Sequence, residues 1–236
     1  MGLFKNTQKG RREMKIYLSP SNQDANTYSY GSTNECDQCN RIAEACEKAL
    51  QRCGFEVKRA PKGQDMQKSI GESNAYNPYL HICIHTNAGG GSGPLVMVHQ
   101  KDNRRMQYAT PIYNALYNLA GRGKGYGVRL DTEISGNLAE LKNTNALGVY
   151  CECEFHDDKN LAKWIIDNAQ NIGEAICKGV CEGEGVPYIA PEQPSGDVFY
   201  RVQVGAFNDK ANAENMVQSL KADGFDAFIT EVQKEK

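Results

Sequence analysis

Long apolar runs are missing from this chain: nowhere among its 236 residues do 18 consecutive apolar positions occur, so a membrane-spanning helix is not expected. The opening segment MGLFKNTQKGRREMK carries basic residues without an apolar stretch behind them, and no Sec export signal is expected from it. Asn6 stands where N-myristoylation requires Ser or Thr, which argues against that lipid anchor. An excess of one charge is also lacking. With 27 Lys and Arg against 29 Asp and Glu, the formal net charge is −2, and neither nucleic acid nor an anionic membrane surface is implied as a partner. Apolar residues at 40% and charged residues at 24% describe an ordinary soluble globular protein.

Histidine is scarce and cysteine is not. Nine cysteines, an odd number without an export signal, favour free thiols. Cys36-x-x-Cys39 and Cys177-x-x-x-Cys181 could be assembled into a four-cysteine zinc site, but the second spacing is loose and no loop surrounds either pair. Buried thiols acting as small hydrophobes are the preferred reading.

Residues 1–13 read as a polar extension, because the first strand-like run, KIYLS, begins just after Met14. Residues 35–53 place Ile42, Ala43, Cys46, Ala49, Leu50 and Cys53 on one helical face, and Gly54 ends that helix. FEVKR (55–59) is a second strand, Gln67 to Tyr76 a short helix, LHICIHT (80–86) a buried strand leading into NAGGGSG, and LVMVHQ a further strand. An amphipathic helix follows over 103–120, then irregular chain to 146, the strand GVYCECEF (148–155) and a long helix over about 158–182. Alternation of this kind predicts an α/β protein, a layered, mostly parallel sheet flanked by helices, over residues 14–183. Residues 184–197 break all periodicity with Gly and Pro and read as a linker. The tail, 198–236, reads as a small βαβ unit with strands in VFYRVQVGAF and FDAFITEV and a helix from Lys210 to Asp223, too short to bury a core of its own.

With only four histidines, each can be weighed. His81 and His85 lie on one face of a strand but roughly 13 Å apart at about 3.3 Å per residue, too far to share one metal. His85 ends the strand, where open α/β sheets hold their sites, whereas His81 reads as a satisfied core residue and His99 as a strand-face residue. Glu152 and Glu154, two apart on a mostly apolar strand, point to one face; burying either costs several kcal/mol unless it is paired or bound to a cation. Glu35 closes Ser32-Thr33-Asn34-Glu35, a capping-box pattern in which its side chain would reach back to the helix N-terminus.

SPSNQ (19–23), TNE (33–35), ICIHTNAG (82–89) and VYCECEFHDD (149–158) together resemble the strand-end motifs of the zinc-dependent N-acetylmuramoyl-L-alanine amidases of autolysins and phage endolysins. The resemblance spans about residues 14–183. It implies that Glu35 and His85 are zinc ligands and Glu152 the catalytic glutamate, with Phe155 at the aromatic position of that motif. The first ligand histidine of the family falls on Asn22, with Gln23 beside it, so an amide oxygen of one of them, or a movement of His156 or Glu154, would complete the zinc site. Asn87, Leu141 and Asn143 would contact substrate, with the loop Ala88–Gly93 and the segment Leu138–Thr144 lining the groove.

The tail resembles the first half of a SPOR repeat, which implies glycan binding through Gln203 and Phe207 and, with one half only, pairing of two tails in a homodimer. The expected partner is peptidoglycan, and the expected reaction is cleavage between N-acetylmuramic acid and L-alanine at the cell wall. Without an export signal, synthesis in the cytoplasm and release as an endolysin are expected. The alternative is an impaired peptidoglycan-binding protein, because the first ligand histidine is replaced.

Overall fold

The computed structural model describes residues 14–192 and 202–231, and the chain divides into two compact units, one to Pro191 and one from Glu192. The expected polar extension over 1–13 lies outside the described residues.

In the first unit a six-stranded sheet is built from β1 (Lys15–Pro20), β2 (Glu56–Arg59), β3 (Leu80–Asn87), β4 (Leu95–Val98), β5 (Val128–Leu130) and β6 (Leu147–Phe155), in the order β2-β1-β3-β6-β4-β5. Every neighbouring pair is parallel except β4 with β6. The central strands, β3 and β6, are buried on both faces along almost their whole length, which is why they read as near-continuous apolar runs. Alternation along them splits the interior in two. Ile82, Ile84, Val149, Cys151 and Cys153 join the large core, while Cys83 and Tyr150 join Leu95, Met97 and Leu141 in a smaller one.

The large core lies under α1 (Glu35–Arg52), α3 (Asn103–Ala120) and α6 (Lys159–Glu184), whose apolar faces contribute Ile42, Leu50, Ile112, Ile165, Ile172 and Val180. Two glycines set how closely α6 approaches its neighbours. A Cβ at Gly173 would meet the backbone nitrogen of Cys46 at 2.6 Å, and one at Gly179 the Cα of Ile112 at 2.4 Å. The opposite face carries only short helices, among them α2 (Met66–Tyr76) and α5 (Ala139–Asn143). That thin layer leaves the strand ends open.

The segment expected to be irregular up to 146 holds β5, the short α4 (Asp131–Ile134) and α5. Asp131, fully buried, organises it: its carboxylate accepts the amides of Thr132 and Leu138 at 2.8 and 2.9 Å and sits 3.2 Å from His99 Nδ1. His99 is therefore a partner of this turn and not a strand-face residue.

The expected linker over 184–197 begins later in the structure. Val186 donates to Cys181 O at 2.9 Å and the Tyr188 hydroxyl to Glu174 at 2.6 Å, so the chain beyond α6 folds back onto the first unit before Pro191. In the second unit α7 (Lys210–Ala222) forms with Asp209 as its cap, but among the described residues neither 202–209 nor 223–231 pairs as a strand. The expected first strand, 198–207, and the end of the second, 225–232, lie in part outside the described residues. Val202 is 84% and Phe228 73% exposed, so neither segment has the buried face that holds a strand in register.

Candidate active site

The site forms where the parallel strands end. The amide of Ser21 donates to Ile84 O at 2.9 Å, fixing the end of β1 beside that of β3, and the next residues fold onto the start of α1. There Glu35 N donates to Asn26 O and Cys36 N to Gln23 O. The helix cap is Asn34, whose side chain accepts from Asp37 N at 2.8 Å. Glu35 is thus the first helical residue, and its carboxylate is free for the site instead of closing the capping box predicted from the sequence.

That carboxylate meets His85. Nδ1 of His85 lies 2.8 Å from Glu35 Oε1, and Asn26 Nδ2 donates to Glu35 Oε2 at 2.7 Å. Burial works against the Glu35 carboxylate, but the hydrogen bond and charge of His85, with Asn26 and Ser21, hold it below its ordinary value. Burial likewise opposes a charge on His85, yet Glu35 and the nearby Glu152 and Glu140 hold the imidazole above its ordinary value. Its ring stacks on Tyr150, centroids 4.4 Å apart, which fixes its plane.

Glu152 is the register partner of His85 across the β3–β6 pair. Its Oε2 is sealed from solvent and has no hydrogen-bond partner, and burial raises its carboxyl to about 7. Glu154 Oε2 is also buried and without a hydrogen-bond partner, but Glu154 is placed differently. The register slips between His85 and Asn87, so Asn87 pairs with Phe155, and Glu154 instead accepts the amide of Gly93 at 2.8 Å. His156 is held by the Thr86 hydroxyl at 3.0 Å and stacks on Tyr28. These bonds commit both residues away from the Glu35–His85 pair.

A cavity of about 180 Å³ opens at this point, lined by Ser21, Asn22, Gln23, His85, Glu140 and Tyr150 among others. Glu140 was not singled out in the sequence. It is buried, hydrogen-bonded by the hydroxyl of Ser19 and 3.3 Å from His81 Nε2; burial opposes its charge, but these two partners hold it below its ordinary value. The signal available was a carboxylate inside the apolar run Leu138-Ala139-Glu140-Leu141. His81, fully buried, is satisfied on its other nitrogen by Ser73 at 2.9 Å. His81, Cys83 and Glu140 also present metal-type donor atoms within 4.8 Å of one another.

The expected substrate contacts distribute unevenly. Leu138, Ala139 and Glu140 line the cavity, but Leu141 turns into the smaller core and packs over Gly148, while Asn143 uses its carbonyl to accept from Asn74. Asn87 Oδ1 accepts from the amide of Ala88, bracing its own loop. Gly90 and Gly91 of that loop line a second, more open pocket with Arg122 and Asp157. In the tail, Gln203 donates to Gly205 O at 3.3 Å, and the Phe207 ring lies over Gly205.

The family model for N-acetylmuramoyl-L-alanine amidase matches residues 19–182, which contain every residue of this site. The chain belongs to that family. A SPOR domain model matches residues 196–236. Among curated proteins, this amidase-family chain is similar to the N-acetylmuramoyl-L-alanine amidase CwlM of Bacillus licheniformis, 25% identical over 163 residues, covering 66% of this chain and 58% of that protein. It is also similar to the sporulation-specific N-acetylmuramoyl-L-alanine amidase of Bacillus subtilis, 23% identical over 161 residues with the same coverage. It thus spans about 58% of the length of the curated relatives it matches. In fold it is similar to the N-acetylmuramoyl-L-alanine amidase of Clostridium difficile 630, with a TM-score of 0.65 at 16% identity over 73% of this chain and 97% of that one. The catalytic domain of the CD27L endolysin targeting Clostridia difficile gives 0.58 at 24% identity, over 71% and 97%.

The family is generally zinc-dependent, and the donor chemistry of the site fits such an ion. A buried imidazole and a buried carboxylate face one another, and the unpartnered Glu152 Oε2 lies on the neighbouring strand. Asn22 and Gln23 follow the end of β1 at the mouth of the same cavity. Gln23 Oε1 is hydrogen-bonded by Asn26 at 2.7 Å, and both residues line the cavity.

Proposed function

We propose that this amidase-family chain hydrolyses the amide joining N-acetylmuramic acid to the L-alanine of the peptidoglycan stem peptide, acting at the cell wall. The observation that carries the reading is the meeting of Glu35, at the start of α1, with His85, whose strand-end register partner is Glu152, one of whose oxygens is buried and unpartnered. In this reading Glu35 and His85 hold zinc, with an amide oxygen of Asn22 or Gln23 as the further donor. Bound there, zinc would supply Lewis acidity toward the amide carbonyl and an acidified water. Glu152, raised to about 7, takes the proton of the attacking water and returns it to the departing alanine amine. Tyr150 holds the His85 ring in plane, and Glu140, with Leu138 and Ala139, walls the cavity and keeps its charge density negative.

A protein that binds peptidoglycan without cutting it is the less favoured reading, since the family matched and the relatives found are all amidases. Glycan binding by the SPOR-matching tail through Gln203 and Phe207 belongs to the same proposal, as does pairing of two tails. Exposed Val202, Val204, Phe207 and Phe228 motivate the pairing. No helix of the described residues is long and apolar enough to cross a membrane.

The test is incubation with purified peptidoglycan and zinc while new alanine amino termini are counted. Their release, abolished in Glu152→Gln with folding intact, is the expected result; binding without release would refute hydrolysis. A monomeric mass by light scattering at micromolar concentration would remove the tail pairing.

A further inference from the structure

Far from the strand ends, three thiols converge where the C-terminal end of α1 meets α6. Cys177 Sγ lies 3.7 Å from Cys53 Sγ and 3.9 Å from Cys181 Sγ, and all three sulfurs fall within 4.8 Å of one another. None is in a disulfide. Thiolates bound tetrahedrally to one zinc at about 2.3 Å lie roughly 3.8 Å apart, the spacing found between these sulfurs.

The segment after α6 closes over the cluster. Ile189 donates its amide to Cys53 Sγ at 3.3 Å, and Cys53 Sγ lies 3.9 Å from Ile189 O. Arg52 donates to Ile189 O at 2.8 Å and to Glu174 at 2.6 Å, which latches the returning segment over the cluster. Cys177 and Cys181 are buried one helical turn apart on α6, while Cys53 is partly exposed and provides the way in.

We propose that Cys53, Cys177 and Cys181 form a thiolate site for one zinc-class cation, separate from the Glu35–His85 centre. The ion joins residues 124 positions apart in sequence, pinning the end of α1 to α6 and holding down the segment Val186–Ile189 that leads toward the second unit. Three thiolates and a water complete a four-coordinate shell, a donor set that selects zinc, cadmium or cobalt over calcium or magnesium.

The experiment is titration of the reduced, metal-free full chain with cobalt(II), read as thiolate-to-metal charge transfer and tetrahedral visible bands. One equivalent should develop the bands, zinc should displace cobalt, and binding should raise the thermal midpoint. Cys53→Ser and Cys181→Ala should each abolish the thiolate-to-cobalt charge transfer, which cobalt at Glu35 and His85 cannot give, whereas Cys83→Ala, at another thiol-containing cluster, should keep it. Far-UV circular dichroism of the metal-free variants separates lost binding from lost folding, and partly exposed Cys53 is the variant expected to fold normally. Absence of the charge transfer, its loss in Cys83→Ala alone, or closure of a Cys53–Cys177 disulfide in the presence of the metal would overturn the proposal.

Discussion

Glu152→Gln separates the cost of a buried carboxylate from the chemistry it performs. The carboxyl, ordinarily near 4.5, is raised to about 7 by burial, so the folded chain holds this proton more tightly than the unfolded chain does. A raised value gives a contribution fully present below about 4.5, lost as the pH rises toward about 7, and absent above it. At about 1.36 kcal/mol per tenfold, the penalty carried above neutrality is roughly 3 kcal/mol. Glutamine keeps the shape and cannot ionise. Below about pH 4.5 both side chains are neutral, and the two proteins should unfold nearly alike. At pH 8 the variant should be more stable by roughly 3 kcal/mol, or about 6 °C and more for a domain of this size. The assay is urea and thermal unfolding of both proteins with a chelator present, at steps from pH 5 to pH 8, alongside alanine release with zinc. A stability difference that stays flat across that range would refute the argument, since it would mean that Glu152 does not change its proton affinity on folding.

Other perturbations follow from single contacts. Glu35→Ala should abolish alanine release and, by leaving His85 without its partner, lower stability by about 3 kcal/mol in urea unfolding. Gly179→Ala should destabilise by about 1–3 kcal/mol, because the new Cβ would meet Ile112 Cα at 2.4 Å. Gly71→Ala, in the interior of α2 with nothing within 4 Å, should stabilise by about 0.5–1 kcal/mol, and equal midpoints for the two alanine variants would contradict the packing described for α6. Asp131→Ala frees the turn that carries Leu138–Glu140 to the cavity; KM should rise more than kcat falls, and the reverse in steady-state kinetics would place Asp131 in the chemistry itself.

What the sequence discloses tracks the strength of each physical signal. Helices α1, α3 and α6 run for 18, 18 and 26 residues, long enough for a 3.6-residue period to repeat several times, and their limits fall within two or three residues of those predicted. β5, α4 and α5 run for 3, 4 and 5 residues, fewer than two turns of helix, so no period exists to read. β5 is held instead by its ladder to β4, and the turn after it by Asp131, which reaches back 32 positions to His99. The same contrast separates the tail. α7 is local and forms with its cap, whereas strands need partners, and the described flanks have none.

Within the site, residues at strand ends are legible because topology brings successive parallel strands to a common edge, which places His85 and Glu152 side by side however far apart they stand in the chain. Glu35 is the harder case. Ser-Thr-Asn-Glu satisfies a capping box on paper, but the helix starts one residue after Asn34, and Asn34-x-x-Asp37 is the spacing that the cap uses. A two-residue shift of the cap, from Ser32 to Asn34, turns the same glutamate from a cap into an ion-pair partner of a buried histidine. Glu140 shows the opposite limit. Its partners, Ser19 and His81, are 121 and 59 positions away, so only the cost of burying an unpaired carboxylate in an apolar run pointed to them. That cost is also the most direct physical argument for a cation near Glu152: Glu35 and Glu140 have hydrogen-bonding neighbours that repay their desolvation, and Glu152 Oε2 has none.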